Sequence, residues 1–156
     1  MCFIDDKGDL LLSKGKSPEI QSEEAVQQYM AEHNIRYGLT FGPILCENGE
    51  SVCPMNYSLG EANRRFARAA ICQQEPLHYI LVTANAEPQY PKYPTVFELA
   101  RNLAELGVQK AYTLDGGQTA TLVTNGEIVN SISYGSERLI SDIIYFATAV
   151  PEEERP

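Results

Sequence analysis

The stretch from Thr95 to Gly107 leaves the chain one choice of conformation. Val96, Leu99, Ala100 and Leu103 recur at the spacing of a single helix face. Thr95 stands where an N-cap belongs, and Glu98 three residues on completes a capping box. Gly107 supplies the left-handed residue on which helices end. The pattern predicts a helix over 96–106 with one buried stripe. Lys110 to Leu114 then reads as a short strand. Helix and strand together can form half of a crossover unit, which would bring a parallel pair.

Most of the remaining chain reads as strands joined by tight turns. Asp5-Asp6-Lys7-Gly8 is turn chemistry between two apolar triplets, predicting a hairpin over 1–13. Tyr37 to Cys46 is strand-like, with Gly42-Pro43 marking an edge, bulge or bend. Asn48-Gly49 and Asn125-Gly126 carry the strong hairpin-turn signal. The second joins Leu122-Val123-Thr124 to Ile128-Val129. Phe66–Cys72 and Leu77–Thr83 predict two more strands, with His78 in a structural role, and Ile140–Ala149 a last one. A second helix is expected over 17–33, capped by Ser17 with Pro18 in its first turn. Val26, Tyr29, Met30 and His33 form its face, and Asn34 stops it. Residues 54–64 and 85–94 read as loops, the latter constrained by three prolines. The sum predicts an α+β fold: a mixed, largely antiparallel sheet with two main helices packed on it. It forms one domain over 1–150, with 151–156 a frayed acidic tail.

Composition narrows the function classes. The chain has 156 residues, 44% of them hydrophobic, enough to bury a core. With 21 acidic and 12 basic residues its net charge is -9, which repels a nucleic-acid backbone. No 18-residue apolar stretch exists, so no transmembrane helix is expected. The start, MCFIDDKGDL, lacks the basic and apolar regions of a signal peptide. Cys2, Cys46, Cys53 and Cys72 match no paired CxxC spacing. Cys46 and Cys53 flank a turn, leaving open a hairpin disulfide or free, partly buried thiols. Nothing places His33 or His78 beside a cysteine as a base, so thiol catalysis is not expected.

The most unusual local sequence is Leu114-Asp115-Gly116-Gly117-Gln118-Thr119-Ala120-Thr121. Asp115 falls where a strand should end. Gly116 and Gly117 permit backbone that other residues avoid, and such turns aim N–H groups at anions. Gln118, Thr119 and Thr121 add the groups that read sugar hydroxyls or phosphate oxygens. Arg68, set among alanines in an apolar strand, offers a planar guanidinium suited to phosphate. Gly135-Ser136-Glu137-Arg138 adds a candidate acid/base in Glu137 and an anion holder in Arg138.

In order along the chain stand Leu106-Gly107, Leu114-Asp115-Gly116-Gly117, Thr119-Ala120-Thr121, Asn125-Gly126 and Gly135-Ser136-Glu137-Arg138. That ordered set resembles the phosphodiester glycosidase domain family. Phe41-Gly42-Pro43-Ile44-Leu45 and Arg68-Ala69-Ala70-Ile71 extend the resemblance over roughly residues 37–147. The family includes the enzyme that removes N-acetylglucosamine from a phosphodiester, and bacterial relatives. The resemblance implies a hydrolase that cleaves the glycosidic bond of a sugar-1-phosphodiester, releasing free sugar. It implies Asp115 and Glu137 as catalytic groups. Arg68, Arg138, Gly116, Gly117, Gln118, Thr119 and Thr121 would bind substrate. No cofactor is implied; one Asp and one Glu make no hard-cation cage, and a divalent metal stays open. Family members are commonly exported or envelope-facing.

Two departures stand out. Ala84-Asn85-Ala86 replaces the Asp-Gly-Arg that many members carry, and no Asn-Gly-Gly-Phe-Phe motif is present. The alternative these favour is a non-catalytic glycan or phosphosugar-binding module, or an enzyme completed by a partner segment. A shortened domain would expose apolar sheet surface, so a homo-oligomer or a partner chain completing the domain is expected.

Overall fold

Alternation along the strands sorts the apolar residues into two cores. The structure, a computed structural model, describes residues 1–15, 17–55, 57, 63–89 and 91–147. Its first half contains β1 (Cys2–Asp5), β2 (Leu10–Leu12), α1 (Glu23–Glu32), β3 (Ile35–Leu39), β4 (Ile44–Glu47) and β5 (Glu50–Ser51). The second contains β6 (Arg68–Glu75), β7 (His78–Ala84), α2 (Val96–Glu105), β8 (Lys110–Thr113), β9 (Val123–Thr124) and β10 (Glu127–Ile128). Strands β2-β1-β3 form one sheet and β5-β4-β8-β6-β7 another, while β9 and β10 pair alone. Every described pairing is antiparallel.

In β6, Ala70 and Cys72 enter one core while Ile71 between them enters the other. β8 divides Ala111 from Tyr112 in the same way, and β4 divides Leu45 from Ile44. The first core closes against Val96, Leu99, Ala100 and Leu103 of α2, the stripe legible in the sequence. The second closes against Cys2 and Leu10 of the three-stranded sheet. Phe3 points the other way, and its ring meets Tyr29 of α1 at 5.1 Å. The layers therefore run α1, three-stranded sheet, five-stranded sheet, α2. The two sheets are also stitched by polar contacts. The Leu10 N–H donates to Gln73 Oε1 at 2.9 Å, and Lys110 Nζ donates to the Leu10 carbonyl at 2.7 Å. α1 is a shallow cover with no buried residue.

The crossover takes a form the sequence left open. β7 and β8 both flank β6 and both oppose it, so they run parallel to each other with β6 between them. α2 bridges that gap.

Three expectations need correction. The helix over 17–33 is two elements. Pro18–Ile20 is a separate 3-10 turn, and Ser17 makes no side-chain cap. α1 starts instead at Ser22, whose hydroxyl accepts from the Ala25 N–H at 3.1 Å. Two acidic residues, Glu23 and Glu24, favour that N-terminus. Its end matches the reading: Asn34 turns left-handed (φ 51°) and the His33 ring packs on Tyr29 at 4.2 Å. Tyr37 to Cys46 is not one strand, because Gly42-Pro43 sends β3 and β4 into different sheets. A Cβ at Gly42 would come within 2.3 Å of Thr113 Cγ2, so the break is packed in place. Finally, Ile140 to Ala147 joins no ladder. Ile144 alone of this run packs against the second core, the Phe146 ring meets Tyr79 at 5.3 Å, and Leu139, Ile143 and Tyr145 are exposed. A strand needs a paired edge, and apolar composition does not provide one. Residues 56 and 58–62 of the 54–64 loop reading, Tyr90 and residues 148–156, which hold the end of the last predicted strand and the tail, lie outside the described residues.

The α2 cap is reciprocal, as read: Glu98 N–H donates to Thr95 Oγ1 (3.1 Å) and Thr95 N–H to Glu98 Oε2 (2.9 Å). Arg65 then grips the same carboxylate with both guanidinium nitrogens, at 2.7 and 2.6 Å. The Arg65 bonds first, and the Thr95 N–H second, hold the Glu98 carboxyl down to about 2 from an ordinary 4.5. The folded value lies below the unfolded one, so this stabilisation is full above about pH 4.5 and fades as pH falls towards 2. Glu98→Gln should therefore lower the Tm at pH 7. The gap from the parent should narrow between pH 4.5 and 2 in a thermal-melt series.

Candidate active site

The site grows from the end of the β6–β8 pairing. The Leu114 N–H donates to the Ala69 carbonyl at 2.9 Å, extending the ladder one residue past β8. Asp115 comes next, then the glycines. The Gly117 N–H donates to the Ala67 carbonyl at 2.8 Å, which draws the Gly116 backbone against β6. A Cβ at Gly116 would sit 2.4 Å from the Ala67 carbonyl oxygen. Gly117 has open space around it but a left-handed φ of +63°. The glycines are thus required for two different reasons, close approach and backbone hand. A 3-10 turn over Gly117–Thr119 follows. Thr119 Oγ1 donates to the Gly116 carbonyl at 3.0 Å.

A second loop is tied down beside the first. Asn130 closes the β9–β10 hairpin: its Oδ1 accepts from the Leu122 N–H (2.6 Å) and its Nδ2 donates to the Ala120 carbonyl (2.8 Å). A turn over Ser133–Gly135 carries Tyr134 at φ 58° and Gly135 at φ 73°. Gln118 Nε2 donates to the Ser136 carbonyl at 2.9 Å and to Ser136 Oγ at 3.2 Å. That bond brings the Gly-Ser-Glu-Arg segment onto the Asp-Gly-Gly loop. Arg138 then pairs with Asp115 Oδ2.

Asp115 has both oxygens engaged, since Oδ1 accepts from the Gly116 N–H at 2.7 Å. The Asp115 and Arg138 side chains are 45% and 54% exposed, so their attraction is solvent-screened and about 0–1 kcal/mol in stability. The pair can therefore open at small cost, which frees the Arg138 guanidinium for another anion. Arg68 lies differently. It is only 8% exposed, shares a strand row with Ala70 and Cys72, and donates to the Arg64 carbonyl at 2.5 Å. Its guanidinium lies 5.7 Å from the Phe66 ring centre. It begins the strand whose preceding residue, Ala67, anchors Gly117.

The structure thus brings together Asp115, Gly116, Gly117, Gln118, Thr119 and Arg138. Glu137, next to Arg138, is exposed and forms no ion pair among the described residues. Thr121 lies just past the 3-10 turn with its hydroxyl buried. Gln118, read as a ligand contact, forms a clamp between the two loops through its Nε2. Sequence reading missed Asn130 and Ser136, the other halves of the clamps. Only their polarity at the ends of turns hinted at them.

The four cysteines are free and buried, which resolves the open disulfide question. Burial pushes the Cys2 and Cys72 thiols up to about 12 and those of Cys46 and Cys53 to about 11. All are protonated at neutral pH and poor nucleophiles. Among the described residues, no three His, Cys, Asp or Glu side chains gather into a cluster. No helix of the described residues is long and apolar enough to cross a membrane.

The chain is thus an antiparallel α+β domain whose central ladder ends in a glycine-bound carboxylate paired with an arginine from a second loop. Residues 4–147 match the phosphodiester glycosidase family, and the chain belongs to that family. The catalytic domain of zebrafish N-acetylglucosamine-1-phosphodiester alpha-N-acetylglucosaminidase, auto-inhibited by its pro-peptide, superposes with a TM-score of 0.54 at 20% identity. That match covers 83% of this chain and 43% of the zebrafish one. A hypothetical protein from Synechocystis superposes with a TM-score of 0.58 at 23% identity, over 72% of this chain and 21% of that one. The chain thus spans less than half the length of either structure. Among curated proteins, none matches the sequence significantly.

The two glycines should separate in mutagenesis. Gly116→Ala meets backbone at 2.4 Å and should cost more than about 2 kcal/mol in denaturant melts. Gly117→Ala meets only the left-handed φ and should cost about 1 kcal/mol.

Proposed function

We propose that the chain carries the catalytic loops of a hydrolase that cleaves the glycosidic bond of a sugar-1-phosphodiester, such as one of N-acetylglucosamine. The observation that carries this reading is the Asp115–Arg138 pair, held across two loops by the Gln118–Ser136 clamp. A carboxylate and a guanidinium side by side suit the two halves of such a substrate. Arg138 exchanges Asp115 for the phosphodiester anion. Asp115, released but still oriented by the Gly116 N–H, faces the anomeric carbon. There its negative charge stabilises the oxocarbenium-like transition state, as nucleophile or as base towards water.

The bond between the anomeric carbon and the bridging oxygen breaks, and that oxygen leaves with the phosphate. Water supplies the hydroxyl at the anomeric carbon and its proton passes to a nearby base, giving free sugar and a phosphomonoester. A phosphate is a good leaving group, so electrostatic clamping matters more than acid help. Glu137 is the second candidate acid/base. Arg68 adds positive charge from behind the glycine loop, and Gly116, Gly117, Thr119 and Thr121 shape the pocket around it.

One observation favours a second reading, a phosphosugar-binding module: both Asp115 oxygens are already engaged. Sugar release separates the two. The purified chain should release N-acetylglucosamine from a phosphodiester, and Asp115→Asn should cut that rate by about 100-fold or more, the scale of losing one transition-state electrostatic contact. A folded chain that binds the diester without turnover would establish the binding module instead. Arg138→Ala should raise KM strongly while changing stability by less than about 1 kcal/mol, since the pair it breaks is exposed.

A further inference from the structure

Five large apolar side chains stand in solvent along one short stretch of chain. Leu139 is 98% exposed, Ile143 71% and Tyr145 76%, and Ile140 and Phe146 are each more than half exposed. All five lie in residues 139–147, which join no ladder and make no backbone hydrogen bond among the described residues. A single exposed leucine needs no explanation, because more than half of a folded surface is apolar. A cluster does. At about 200 Å² for a large side chain, the exposed parts of these five come to roughly 700 Å². The largest apolar patch on an ordinary monomer is ~300–600 Å².

The run is anchored from beneath. Ile144 packs against the second core, and the Phe146 ring lies 5.3 Å from that of Tyr79 in β7. These contacts hold the run against the sheet, so its exposed side chains present a face. That face is also nearly uncharged. Asp142 is the one charged residue between Leu139 and Ala147, in a chain of net charge -9. It offers no sign for a charged ligand or an oppositely charged partner to read. It is also a stretch on which two acidic copies can meet with few like charges in contact.

We propose that residues 139–147 form the interface of a homodimer, packing on the same residues of a second copy across a two-fold axis. The area selects this occupant: roughly 700 Å² from each copy is close to the ~800 Å² that each partner gives a stable interface of standard size. A two-fold contact uses the same patch on both sides, and an apolar row is complementary to itself. Ile143 and Tyr145 provide its central contacts, Tyr being a residue type enriched in such cores. The inference stands independently of the phosphodiester reading.

Light scattering on the purified full chain, over a micromolar dilution series, tests it with three variants. Ile143→Asp sets a carboxylate in the contact on both copies, and Tyr145→Ser removes a large side chain from it. Leu77→Asp is the control, since Leu77 is 70% exposed and lies outside the run. The parent should show twice the chain mass and dissociate on dilution. Each of the two substitutions in the run should weaken the dimer about tenfold or more, the scale of losing a central interface residue. Leu77→Asp should leave it within about twofold. Circular dichroism should match the parent's in every variant, because each replaced side chain is largely exposed in the monomer. A parent that stays monomeric throughout would overturn the proposal and leave the face to a different partner. A dimer that survives in either folded variant of the run, or that Leu77→Asp breaks equally, would overturn it as well.

Discussion

Between the Gly116 α-carbon and the Ala67 carbonyl there is room for a hydrogen and nothing larger. The rest of the site depends on that approach. It lets the Gly117 N–H reach the Ala67 carbonyl, which ends the β6–β8 ladder in a sharp turn instead of a longer strand. The turn presents the Gly116 N–H to Asp115 Oδ1 and so fixes the carboxylate. It also starts the 3-10 turn that aims Gln118 at Ser136, without which Arg138 would have no fixed place. A side chain in place of one hydrogen would disturb each of these in sequence.

The glycine loop can be held so closely because its base is rigid. The five-stranded sheet is buried on both faces, by α2 and by the three-stranded sheet. Close-packed interiors have low compressibility, so loops at the strand ends inherit a stiff foundation. The site's own contacts are of another kind. The Asp115–Arg138 pair is half exposed and cheap to exchange. Rigid backbone thus lies beneath an exposed ion pair: the backbone geometry is set in advance, while the pair can open at small cost.

What could be read from the sequence follows from this division. α2 was legible to within one residue because its cap, stripe and stop are all local. The β1–β2 and β9–β10 hairpins were legible because turn chemistry is local too. The run Ile140 to Ala147 misled for the converse reason. Its apolar residues have strand-like composition, but strand formation depends on a free edge elsewhere in the fold, which no local pattern reports. The split at Gly42-Pro43 was signalled by Pro, while the transfer of β4 to a second sheet was not. At the site, Asp115, the glycines and Arg138 stood out by type and spacing. Gln118 was noticed for its chemistry, while its bond to Ser136 was not foreseen, because a ligand contact and a loop clamp use the same amide.

Arg68 shows where chemistry and position diverge. By residue type it was as good a phosphate group as Arg138. The strand puts it in the same row as Ala70 and Cys72, and its guanidinium is directed to the Arg64 carbonyl and the Phe66 ring. A buried cation is costly to remove from its partners, whereas an exposed one exchanges them readily. The two arginines therefore differ in freedom: Arg68 is held buried at the start of the strand that anchors the glycine loop, and Arg138 sits half exposed on Asp115. Two residues identical in chemistry are told apart here by burial alone, which periodicity hints at and only the packed fold decides.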